Sequence, residues 1–89
     1  MYTIYFSSRA EKDKKLLKKA NLDKKAIQLL DLIMENPFET PPRYEKLVGD
    51  LKGYYSRRIN VQHRMVYEVD ENKKIIRILS MCLIMNDRN

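Results

Sequence analysis

Eighty-nine residues, 44% of them hydrophobic, suffice for one domain (1–89) with a single modest core and leave no room for a second. Lys and Arg number 18 against 12 Asp and Glu, a net charge of +6 that favours a polyanion such as RNA, DNA or an acidic protein segment without choosing among them. A lone cysteine, Cys82, excludes an internal disulfide, and the absence of a signal-like start or an apolar run of about 18 residues makes a reducing cytoplasm, away from membranes, the expected home.

The stretch "YTIYFS" is aromatic and β-branched with partial alternation, so Tyr2 to Phe6 reads as a strand, with Ser7 or Ser8 placed to cap a helix. Ala10, Leu16, Leu17 and Ala20 among lysines make that helix. Ala26, Leu29, Leu30 and Ile33 behind a capping Asp23 make a second, so that an αα-hairpin breaks near Asn21 and ends at Pro37. Clustered Lys14, Lys15, Lys18, Lys19, Lys24 and Lys25 are either the wet faces of these helices or a nonspecific attraction for phosphates. All three prolines fall in "NPFETPPRYEKLVGD", which reads as a fixed surface connection delivering Tyr44, Glu45 and Leu47 to a defined place. Beyond Gly53 the period becomes strand-like: "YYSRRI", "RMVYEV" and "KIIRILSM", the last two joined by the polar turn "DENKK". The predicted class is α+β: an amino-terminal strand, an αα-hairpin, then a three-stranded antiparallel meander completing a small antiparallel sheet with the helices on one face.

Chemistry-bearing residues crowd into "GYYSRRINVQHRMVYEV". Arg57, Arg58 and Arg64 lie on neighbouring predicted strands, where they are either ordinary surface charge or a converging phosphate patch, guanidinium being a planar fork of donors suited to that anion. Tyr54 and Tyr55 beside them offer rings on which unpaired bases stack. His63, the only histidine, is either a structural hydrogen-bonder or a catalytic group. Glu45 is one of several glutamates unless the fold carries it to the arginines, where it could take the proton of a ribose 2′-hydroxyl. No metal-ligand cluster or glycine-rich loop is present, and no cofactor is expected.

The run "NPFETPPRYEKLVGDLKGYYSRRINVQHRMVYEVDENKKIIRILSM", and within it "YEKLVGDLKGYYSRRINVQHRMVY", resembles the Txe/YoeB family of toxins in the RelE/ParE superfamily. The resemblance implies a RelE-like fold and a small cytoplasmic endoribonuclease, an mRNA interferase. Such a toxin enters the ribosomal A site, cuts mRNA there without a metal, and is silenced by a cognate antitoxin, usually of the Phd/YefM type; it leaves a homodimer open. Carried over by residue, Glu45 matches the general base, Arg64 the arginine stabilising the crowded phosphate, and Arg58 a further substrate-binding arginine.

The carboxyl end departs from the family, whose members close with a His-Tyr pair after the last strand. Here "SMCLIMNDRN" puts Ile84 and Met85 in their place, and neither carries a proton. The expectation is therefore an attenuated enzyme. Deleting one base from a family-like Trp-Ser-His-Tyr-Glu ending yields Cys-Leu-Ile-Met-Asn, the order at Cys82 to Asn86, which points to a frame change near codon 82; the alternative is a divergent member whose last strand runs on through "CLIM". Two further function classes are compatible with the same scaffold: a non-cutting module that binds antitoxin or ribosome, and a ParE-like gyrase poison.

Overall fold

Ser7 shows how local sequence sets the architecture. Its hydroxyl accepts from the Ala10 amide at 3.0 Å, capping the first helix, and donates to the Leu79 carbonyl at 2.6 Å. The computed structural model describes the backbone of residues 1–84 and the side chains of residues 1–81. The elements run β1 (Thr3–Phe6), α1 (Ser8–Lys19), α2 (Asp23–Glu35), β2 (Tyr44–Lys46), a 3-10 turn (Gly49–Leu51), β3 (Tyr54–Arg58), β4 (His63–Asp70) and β5 (Ile75–Ile84). As expected, Asn21 breaks the helical hairpin, taking a left-handed φ of 60° that asparagine tolerates better than most residues. Asp23 does not cap α2: Leu22 occupies that position without a side-chain bond, and Asp23 sits in the first turn, where its charge complements the helix dipole.

The buried stripe of α1 is Ala10, Asp13 and Leu17, whereas Leu16, one of the expected core residues, is 51% exposed. Asp13 is buried because it accepts from the Met81 amide of β5 at 3.0 Å. From α2, Ala26, Leu29 and Ile33 complete the helical side of the core, meeting Met65, Tyr67, Ile76, Ile78 and Met81 from the sheet. Burying a side chain of this size contributes about 1.5–3 kcal/mol relative to leaving it exposed, and this layer is the main source of stability.

Five strands lie in the order β1-β5-β4-β3-β2. The meander β3-β4-β5 is antiparallel as its hairpins predict. Two features depart from expectation. β1 pairs parallel with β5, Thr3 opposite Ile75 and Phe6 opposite Ile78, so the sheet is mixed; the helical hairpin is long enough to return the chain in that sense. The segment expected as a loop supplies a further strand, β2, antiparallel to β3 with Tyr44 opposite Arg57 and Glu45 opposite Ser56. Register shifts between Arg64 and Tyr67 mark irregular pairing with β5, whose backbone continues through Ile84, opposite His63. A strand running past Cys82 is compatible with either origin of the tail, and Met85 to Asn89 lie outside the described residues.

Candidate active site

Strand pleat decides which of the candidate residues meet. Adjacent residues point to opposite faces and directly paired residues share one. Glu45 pairs with Ser56, Ser56 and Arg58 are two apart on β3, and Arg58 pairs with Arg64. These four side chains therefore occupy the sheet face opposite the helices. Arg64 reaches over β3: its Nη1 lies 2.9 Å from Glu45 Oε1 and donates to Ser56 Oγ at 2.7 Å. Ser56 is fully buried beneath it, and the Arg64 side chain is only 12% exposed, while that of Glu45 is 47% exposed. A cavity of about 290 Å³ is bounded by Pro42, Arg43, Glu45, Arg58 and Arg64.

Arg57 does not belong to this patch. The pleat turns it to the helix-facing side, where it is fully buried and its fork is consumed by the protein. Nε donates to the Tyr67 hydroxyl at 3.0 Å, Nη2 to the carbonyls of Pro37 at 3.0 Å and Glu39 at 2.7 Å, and Nη1 to the Pro42 carbonyl. The Tyr67 hydroxyl in turn donates to the Pro37 carbonyl at 2.8 Å. Burial pushes the Tyr67 phenol above its usual range, against the opposing effect of Arg57, so it stays a neutral donor at physiological pH. Arg57 thus anchors the proline segment that leads into β2, and its expected substrate-binding role is replaced by a structural one. Tyr55 belongs to an aromatic cluster on the same side: its ring makes edge-to-face pairs with Phe38 at 5.2 Å and Tyr44 at 5.7 Å, and lies 5.8 Å from Tyr67. Tyr54 shares the Arg58 face but sits at the other end of β3, opposite Glu68, and does not line the cavity.

His63 is turned away from Arg64 by the same alternation. Its ring Nδ1 is 3.1 Å from Asn60 Oδ1, an atom that also accepts the amides of His63 at 2.7 Å and Gln62 at 2.9 Å. The ring thus sits against the β3-β4 turn and does not face the Glu45–Arg64 pair. Two participants have no strong signal in the sequence. Ser56 could have been found from its spacing, two residues before Arg58 on one pleat; Arg43 reaches the cavity because β2 starts beside it.

Chemically, a carboxylate and three guanidinium groups around one cavity can hold a phosphate and accept a proton beside it. Arg64 is largely buried and Glu45 half exposed, so the carboxylate is the solvent-facing partner of the pair. An incoming phosphate can take the carboxylate's place on Arg64, leaving that buried cation paired with an anion.

Residues 2–82 match the family model described as YoeB-like toxin of bacterial type II toxin-antitoxin system. The chain belongs to this YoeB-like toxin family. The toxin YoeB of Synechocystis is 41% identical over 66 residues, covering 74% of this chain and 70% of that protein. Among solved structures, the YoeB of a heterotetrameric YoeB-YefM toxin-antitoxin complex from Staphylococcus aureus is 40% identical with a TM-score of 0.79, covering 96% of this chain and 99% of that one. A YoeB dimer from the same organism gives 39% identity and a TM-score of 0.80 over 94% and 98% of the two chains. The YoeB-like fold thus accounts for the mixed sheet and for β2, neither of which local sequence patterns announce. Among the described residues, no helix is long and apolar enough to cross a membrane.

Proposed function

We propose that this chain is a ribosome-dependent mRNA interferase, in which Glu45 is the general base and Arg64, with Arg58, holds the scissile phosphate. The observation that carries this reading is the 2.9 Å Glu45–Arg64 pair at the wall of a cavity that Arg58 also lines. Glu45 takes the proton from a ribose 2′-hydroxyl, the 2′-oxygen bonds to phosphorus, and the bond to the departing 5′-oxygen breaks, leaving a cyclic phosphate. Arg64 stabilises charge that grows on the phosphate oxygens in the transition state, and a third group must protonate the 5′-oxygen. Ile84 and Met85 cannot do so, and the tail after Cys82 lies beyond the segment that matches the family. Cleavage by this chain is accordingly attenuated, by about 100-fold to 10,000-fold for one missing proton donor.

The partners proposed are a cognate antitoxin of the YefM kind, supported by the Staphylococcus complex, and the ribosome with its mRNA; a homodimer is supported by the related YoeB dimer. The working place is the cytoplasm, where ribosomes are. Toeprinting on translating ribosomes tests the activity: slow cuts within the A-site codon, abolished by Arg64→Ala, are expected. Growth arrest with no cut, also in a version ending in His-Tyr, would overturn the nuclease reading in favour of a non-cutting binder or a gyrase poison.

A further inference from the structure

A second cavity, of about 360 Å³, adjoins the candidate active site and shares two of its residues, Pro42 and Arg58. Its remaining lining is Lys25, Gln28, Leu29 and Leu32 of α2 together with Ile59. The four helix residues are at i, i+3, i+4 and i+7, one face of α2, so they present together. Their chemistry is divided. Leu29 and Ile59 are buried, with 8% and 3% exposure, and make an apolar floor with half-buried Leu32; Lys25, Gln28 and Arg58 stand exposed around it.

We propose that this cavity is a nucleotide subsite, holding the nucleotide next to the scissile phosphate on the same RNA strand. The inference rests on the nuclease reading of the adjoining cavity and extends it. Continuity argues for this occupant: Arg58, the last residue of β3, lines both cavities, so a single strand lying across that strand end can enter each, and Lys25 adds a second cation from α2. An apolar floor suits the face of a base, which is the sequence-tolerant part of single-strand recognition. Gln28 adds what a flat apolar surface lacks, a side chain that both donates and accepts at a base edge, and so makes this the place where a nucleotide preference would arise. The dividing wall is rigid, because the Pro42 carbonyl is held by buried Arg57.

Lysine at the rim of a helix is ordinarily just a solvated charge, so the test must separate the subsite from general attraction of RNA to a +6 protein. The isotope-labelled chain is titrated by NMR with a dinucleotide whose scissile ribose is 2′-deoxy, and with two trinucleotides extending it by one nucleotide on the 5′ or the 3′ side. One trinucleotide should bind about tenfold more tightly than the dinucleotide and shift the Gln28 side-chain amide and the Leu29 and Ile59 methyls, which the dinucleotide leaves unmoved. Gln28→Ala should remove most of that gain at unchanged net charge, while dinucleotide affinity stays as it was. Equal affinity for all three ligands, or a gain that survives in Gln28→Ala with no shift at Leu29 and Ile59, would overturn the subsite. Arg64→Ala separates the two readings. If it leaves dinucleotide affinity untouched, the nuclease assignment fails, yet an intact Gln28-dependent gain still establishes the neighbouring site.

Discussion

Replacing Arg57 with lysine keeps the charge but shortens the side chain and removes the fork. Arg57 is fully buried, and its described acceptors are three carbonyl oxygens and the Tyr67 hydroxyl. A lysine ammonium is a compact point charge with three donors, and it cannot reach Pro37, Glu39, Pro42 and Tyr67 together. Acceptors left without donors and a poorly satisfied buried cation place the loss in the range for breaking a buried charged network, about 3–5 kcal/mol. Domains of this size are stable by about 5–15 kcal/mol, so about a fifth or more of the total is at stake. At roughly 4–8 °C per kcal/mol, the melting midpoint should fall by more than about 12 °C. Thermal and urea unfolding followed by circular dichroism measure it, and Tyr67→Phe, which removes one shared hydroxyl, should cost less, about 1–2 kcal/mol. A ligand-binding arginine would behave in the opposite way, with stability kept and RNA affinity lost. If Arg57→Lys unfolds within about 1 kcal/mol of the parent, the anchoring role argued for it is wrong.

Three other outcomes are expected. In a version whose tail is restored to the family's His-Tyr ending, ribosome-dependent cleavage should rise by about 100-fold or more; Arg64→Ala should then remove about 3–4 kcal/mol of transition-state stabilisation, and no change in single-turnover rate would refute its role. Ser56→Ala in that version should slow cleavage by about 10-fold or more, the loss expected for one charge-assisted hydrogen bond of about 1.5–3 kcal/mol, with the substrate's KM little changed; a rate equal to the parent's would show that Arg64 needs no such support. Because burial raises the Tyr67 pKa, its contribution to stability is complete below the unfolded value of about 10 and declines above it, where the unfolded chain loses the proton first. Stability measured from neutral to strongly alkaline pH should therefore fall more steeply in the parent than in Tyr67→Phe, and equal slopes would contradict the shift.

Much of the architecture could be read locally because the signals were local. Asn21 and Pro37 bound the helices, and the alternation in "YYSRRI" and "RMVYEV", with polar turns between, marks a meander. β2 could not be found that way: three residues after a proline run are too few to show a period. The parallel pairing of β1 has no local signal either, since it depends on a partner most of the chain away. At the site, Glu45, Arg58 and Arg64 converge on the cavity as expected, while Arg57 and His63 do not. The pleat held that distinction in advance: Arg57 and Arg58 are neighbours, as are His63 and Arg64, so neither pair can share a face. What the pleat cannot say is which of each pair turns inward. A fully buried arginine runs against the general tendency, and only the carbonyls of the proline segment, brought close by the fold, make it favourable.

The bond between Ser7 and Leu79 joins residues 72 apart in sequence, and the β1–β5 ladder spans the same distance. That separation orders events in time. The hairpins of β2, β3 and β4 close over short loops and can zip as soon as those strands exist, whereas β1 and the apolar stripes of both helices wait for β5 to be made. During synthesis the strands bearing Glu45, Arg58 and Arg64 can therefore be aligned before the layer that stabilises them is sealed. Insertion of β5 is the step that seals this layer, and until then the strands that carry the cleft residues lack the support that the finished sheet and helices give them.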